Sequence, residues 1–108
     1  MSQTVAWILL LVAGLLDVAW AISMKYAEGY TRPGWSIVSI LLLAAFVYLL
    51  GRVLETLPVG TAYAVWTGIG AAGTAVLGMM LLGEPRTAWR LTSLALILLG
   101  VAGLKLAR

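Results

Sequence analysis

The stretch Gly14-Leu-Leu-Asp17-Val-Ala-Trp20 decides how this chain is read. It lies in the middle of an apolar run from Thr4 to Met24 in which Asp17 is the one ionisable side chain. A carboxylate at the centre of a segment long enough to cross a bilayer costs about 2.5 kcal/mol or more on insertion scales. Such groups face a bundle interior or a water-filled cavity. Asp17 is therefore expected to be a proton or cation site inside a membrane protein, with the rest of the chain supplying its walls.

Composition agrees. The 108 residues are 63% hydrophobic and 10% charged, with a mean hydropathy of +1.07, whereas soluble domains carry roughly a quarter charged residues. The length allows one domain, residues 1–108. With no cysteine and no histidine, disulfides, thiol redox chemistry and a conventional metal centre are excluded, and no cofactor is expected. The net charge of +3 does not indicate a nucleic-acid partner, because the basic residues sit at the ends of apolar segments, where they anchor to headgroups. Ala19-Trp20-Ala21 resembles a signal-peptide cleavage site, but the first basic residue is Lys25 and Asp17 interrupts the apolar region, so this segment reads as a retained helix. No nucleophile–base pair or nucleotide-binding loop appears, which argues against an enzyme.

Four apolar segments follow one another, at about 4–24, 35–51, 59–82 and 87–106, and each is long enough for a transmembrane helix. The first ends in a loop from Lys25 through Pro33-Gly34, the second at Arg52, and Pro58 stands where a helix start tolerates it. Gly83-Glu84-Pro85-Arg86 is a turn. The tight connections predict that sequence neighbours are antiparallel neighbours in space. The fold class expected is an all-α membrane protein of four transmembrane helices. With the termini on one side, that side carries Arg52, Lys105 and Arg108, and the other carries Lys25, Arg32, Arg86 and Arg90. So even a balance sets no orientation. Either some other signal fixes the topology, or the chain inserts both ways and pairs with its inverted copy, which supplies the symmetry of alternating-access transporters.

On a helical wheel Asp17 shares a stripe with Leu10, Ala13, Gly14, Trp20, Ala21 and Met24, so small residues flank the carboxylate. No Lys or Arg lies in the middle of an apolar segment to pair with it. In the third segment Tyr63, Trp66, Thr67, Gly70 and Thr74 recur at helical spacing and are expected to face Asp17. Indole and phenol faces attract a cation, and the Tyr63 hydroxyl is placed to donate to the carboxylate. Gly68, Gly70 and Gly73 permit close helix approach or bending. In the fourth segment Leu96, Gly100 and Val101 belong to a leucine-rich run that reads equally as a lipid-facing span or as a helix–helix seam.

These residues resemble the small multidrug resistance transporters over essentially the whole chain. The most specific part is Leu57-Pro-Val-Gly-Thr-Ala-Tyr63-Ala-Val-Trp66-Thr-Gly-Ile-Gly70, supported by Asp17–xx–Trp20, Trp20-Ala-Ile-Ser-Met-Lys25-Tyr, Leu82-Gly-Glu-Pro and Leu96-Ile-Leu-Leu-Gly100-Val. The wording Trp66-Thr67-Gly68-Ile69-Gly70 favours the guanidinium-exporter branch. The resemblance implies an antiparallel, dual-topology homodimer in the bacterial inner membrane that exports small guanidinium-type cations in exchange for protons. It places the central carboxylate on Asp17, aromatic walls on Trp20, Tyr63 and Trp66, and the dimer seam around Gly100. Two departures stand out. The family's central acid is glutamate, one methylene longer than Asp17. Phe46 puts a bulky ring where the guanidinium branch is expected to carry a small hydroxyl residue. The alternatives are an exporter of quaternary ammonium or aromatic cations with Phe46 extending an apolar wall, one subunit of a heterodimeric pair, and a structural membrane protein.

Overall fold

The computed structural model describes residues 1–107; Arg108, counted above in the charge balance, lies outside the described residues. Four α-helices follow in order: α1 (Gln3–Tyr26), α2 (Pro33–Val53), α3 (Val59–Leu81) and α4 (Ala88–Ala107). All four are long and apolar enough to cross a membrane. The 24 residues of α1 rise about 36 Å, enough for a hydrocarbon core of about 30 Å.

Local chemistry sets the helix ends. The Ser2 hydroxyl caps α1 by accepting from the Val5 N–H at 3.2 Å. Pro33 occupies the first turn of α2, where its missing N–H is harmless, so α2 starts two residues before Trp35. The α1–α2 loop is held by Tyr30, whose hydroxyl pairs with buried Ser39 of α2 at 2.8 Å. α3 ends at Leu81, and Gly83 just beyond it, with φ of 69°, lets the chain turn in the left-handed region. Arg86 then donates to the Met79 carbonyl at 3.0 Å, satisfying one of the free acceptors at the helix end.

Packing is organised around α1. Its buried stripe, Ala6, Leu10, Ala13, Gly14, Val18 and Ile22, is covered by α2 on one side and α3 on the other, while α4 packs on α3. Consecutive α2 and α3 thus flank α1 instead of forming a principal seam with each other, which departs from the nearest-neighbour expectation. Glycines on both sides admit the close approach of α1 and α3: Gly14 of α1 faces Ile69, and Gly70 and Gly73 of α3 face Asp17 and Val18. The core, Ala6, Leu10, Val53, Leu57, Ala62 and Val65, gathers at the end of the bundle where α2 passes into α3. The body is a slab of 40 × 35 × 17 Å. Among the described residues no side chain of α4 is buried, and Leu96 is 63% exposed.

Candidate functional site

Asp17 is part-buried at the edge of the α1 stripe, on the side where α1 meets α3. Gly70 makes room for the carboxylate itself: a β-carbon there would overlap it. The same device recurs along the seam, where a β-carbon at Gly14 would stand 2.6 Å from Ile69 and one at Gly73 would stand 2.6 Å from Val18. α3 runs as unbroken α-helix through Gly68, Gly70 and Gly73, and these three face Val101, Asp17 and Val18 of the neighbouring helices.

The carboxylate borders a wide-open cavity of about 460 Å³ lined by Trp20 and Ala21 from α1 and by Thr67, Gly70 and Thr74 from α3. Since the packed core lies at the opposite end of the bundle, the cavity extends from Asp17 toward the end that carries the α1–α2 and α3–α4 connections. Its far wall is formed by Glu84 and Arg90. An ionised aspartate is acceptor-only, threonine hydroxyls accept or donate, and an indole offers its negative π face. This set suits a small cation.

Of the aromatic residues expected to wall the cavity, only Trp20 borders it; Tyr63 and Trp66 belong to a stack behind it. Trp20, Phe46 and Trp66 form a continuous chain across three helices, with centroids 5.4 Å apart for Trp20–Phe46 and 5.5 Å for Phe46–Trp66. Tyr63 extends it, edge-on to Trp66 at 5.5 Å. Phe46 is 3% exposed, held between the two indoles, so its ring positions Trp20 and does not line the cavity. Among the described residues the indole N–H groups of Trp20 and Trp66 are buried without an acceptor. As donors these groups offer nothing to a cation; only the π face of an indole could.

The face Tyr63, Trp66, Thr67, Gly70, Thr74 therefore divides. Thr67, Gly70 and Thr74 reach the Asp17 cavity, Trp66 turns to Phe46, and Tyr63 lies 58% exposed at the outer surface. The anticipated Tyr63–Asp17 hydrogen bond is not made within the chain: the ring packs on Trp66 two turns above the carboxylate's partner Gly70. Val101, expected on a dimer seam, is seated on α3 of its own chain, 2.6 Å from where a Gly68 β-carbon would stand. Leu96 and Gly100 stay on the outer face of α4, with open space around Gly100. Sequence reading missed Glu84 and Arg90 as cavity residues. Their opposite charges six residues apart were the available signal, but only the folded turn brings them to the cavity.

Four membrane-crossing helices and an acidic cavity between two of them define a small multi-pass membrane protein. The sequence pattern of the Small Multidrug Resistance protein family matches residues 5–97, and the chain belongs to that family. It is similar to a guanidinium exporter of Yersinia pestis, 57% identical over 102 residues that cover 94% of this chain and 98% of the relative. Guanidinium exporters of Salmonella typhimurium and Escherichia coli (strain K12) are 54% and 51% identical over 102 residues, covering 94% of this chain and 97% of each relative.

Proposed function

We propose that this protein exports small guanidinium-type cations in exchange for protons, by alternating access, as an antiparallel dual-topology homodimer in the bacterial inner membrane. The observation that carries the reading is Asp17: the one acid in the middle of any span, set on a cavity with an indole and two threonines. The guanidinium exporters to which the chain is similar support the substrate class.

The chemistry follows from the donor set. A planar guanidinium donates two parallel N–H hydrogen bonds to the Asp17 oxygens, a charge-assisted geometry that a quaternary ammonium ion cannot match. Trp20 covers one face of the bound cation, and the Thr67 and Thr74 hydroxyls accept from its remaining N–H groups. Protonation of the same carboxylate removes the charge, so proton and cation exclude each other, and that exclusion couples their opposite movements. Phe46, held between indoles, presents no free face to a bulky cation, which favours the small substrate. The slab is one half of the transport unit: the outer face of α4 around Leu96 and Gly100 is where an inverted second copy packs, and an antiparallel pair gives the two alternating openings from a single fold.

Uptake of labelled guanidinium into proteoliposomes under an imposed pH gradient, with tetrapropylammonium as competitor, tests the reading. Proton-driven guanidinium uptake that the bulky cation barely inhibits is the expected result, and Asp17→Asn abolishes it. Undiminished uptake by Asp17→Asn would overturn the proposal.

A further inference from the structure

The cavity that contains Asp17 also contains a second carboxylate, and that one already holds a guanidinium. Arg90, in the first turn of α4, donates from its terminal nitrogen to Glu84 Oε1 at 2.7 Å. Both side chains are part-buried, 33% exposed for Arg90 and 41% for Glu84, and both line the same cavity as Asp17, Trp20 and Thr74. Glu84 is not a loose surface acid. Its carboxylate fits against Gly78, where a β-carbon would overlap it, and its own N–H is bonded to the Gly78 carbonyl at 3.2 Å. Gly70 and Gly78 are the α3 positions that receive Asp17 and Glu84, eight residues apart, so the two carboxylates stand about 12 Å apart along the helix. One lies in the middle of α1 and the other in the turn between α3 and α4.

The pair is also incompletely satisfied. It rests on one N–H···O bond and not on the two parallel bonds an arginine and a carboxylate can form, and the Arg90 Nε–H is buried without a partner. A carboxylate seated by the backbone, facing a cavity and bound by a single contact to a tethered guanidinium, is suited to exchange that guanidinium for a free one.

We propose that Glu84 is a vestibule subsite for guanidinium-type cations, occupied at rest by Arg90, so that a cation displaces Arg90 at Glu84 before passing to Asp17. This rests on the reading of Asp17 as the inner cation site. Arg90 acts as a built-in competitor: it keeps the vestibule acid neutralised when no substrate is present and weakens the apparent affinity of the transporter. Removing it exposes Glu84 to substrate, and removing Glu84 as well cancels the gain.

The test follows the side-chain Nε–H resonance of Arg90 in ¹⁵N-labelled protein in detergent micelles, titrated with guanidinium chloride and, at matched ionic strength, with sodium chloride. The expected result is a saturable shift with guanidinium and a much smaller one with sodium, in the native chain and in Asp17→Asn alike. In Glu84→Gln the resonance already sits at its released position and does not move. Equal responses to the two salts would mean an ordinary ion pair loosened by screening. That outcome, or a saturable shift that survives Glu84→Gln, overturns the proposal. Failure of the inner-site reading is seen separately, as guanidinium transport by Asp17→Asn. In proteoliposomes Arg90→Gln lowers the KM for guanidinium about fivefold, the factor equivalent to about 1 kcal/mol for a part-exposed pair. Glu84→Gln/Arg90→Gln restores the native KM; identical KM values for all three proteins count against the subsite.

Discussion

Replacing Gly70 by alanine isolates what the carboxylate needs. The new methyl group would stand 3.1 Å from the Asp17 Cγ and overlap one carboxylate oxygen. Ordinary carbon–carbon contact begins at about 3.5 Å, so the carboxylate has to swing away by roughly 1 Å or more. It has room to do so, because the obstructing atoms are the free end of a side chain beside a cavity of about 460 Å³. The fold should therefore tolerate the change; alanine even favours the helix by about 1 kcal/mol over glycine. Under the proposed function, cation binding should not tolerate it. Losing one charge-assisted hydrogen bond costs about 1.5–3 kcal/mol, which corresponds to roughly a 10- to 150-fold rise in the KM for guanidinium. Gly73→Ala is the control: its methyl group meets Val18 Cγ2 at 2.6 Å, and Val18 is buried with a stiff, β-branched side chain. Overpacking there costs about 1–3 kcal/mol before the helix gain, so Gly73→Ala lowers the melting temperature in micelles and affects KM less. Asp17→Glu in the Gly70→Ala background should recover uptake, since one more methylene carries the carboxylate past the methyl group. Native transport by Gly70→Ala, or failure of Asp17→Glu to improve it, would refute the reasoning.

Three further outcomes follow from the same geometry. Phe46→Ala removes a ring that is 3% exposed between Trp20 and Trp66, with an expected loss of about 3–5 kcal/mol in thermal or denaturant unfolding, whereas Phe46→Leu loses much less. Trp20→Leu keeps an apolar wall but removes the π face, and raises the guanidinium KM about three- to tenfold while the melting temperature falls modestly, as read by uptake and by circular dichroism. Gly100→Trp adds bulk where its own chain leaves open space, so it should leave the protomer folded yet reduce cross-linked dimers in liposomes; Val101→Ala, at the Gly68 contact within the chain, should lower the melting temperature and leave cross-linking unchanged.

Much of this was legible in the sequence because two signals are strong in a membrane chain. Long apolar runs have few alternatives to a spanning helix, and a single carboxylate within one has few alternatives to a cavity. The wheel also placed Thr67, Gly70 and Thr74 with Asp17, since a regular helix carries its own geometry. Helix spacing does not say which way a partner helix lies, and there the reading gave way. Tyr63 and Trp66 share the spacing of Thr67 but sit across the shoulder of α3, where Phe46 of α2 draws the indole aside. Val101 reads like its leucine neighbours until Gly68 opens a notch for it. Glu84 and Arg90 belong to a turn and a helix start, and no periodicity links them; the left-handed glycine at position 83 swings the acid back over α3.

The ring sequence Trp20–Phe46–Trp66 has an optical consequence. Aromatic groups held in fixed orientation at such short separations give strong near-ultraviolet circular dichroism, and the signal depends on their mutual angle, here 61° at the first step and 33° at the second. Because Trp20 also borders the Asp17 cavity, any occupant that tilts its indole changes the spectrum of the entire chromophore set. The protein thus carries an intrinsic, label-free reporter of cavity occupancy, written across three helices.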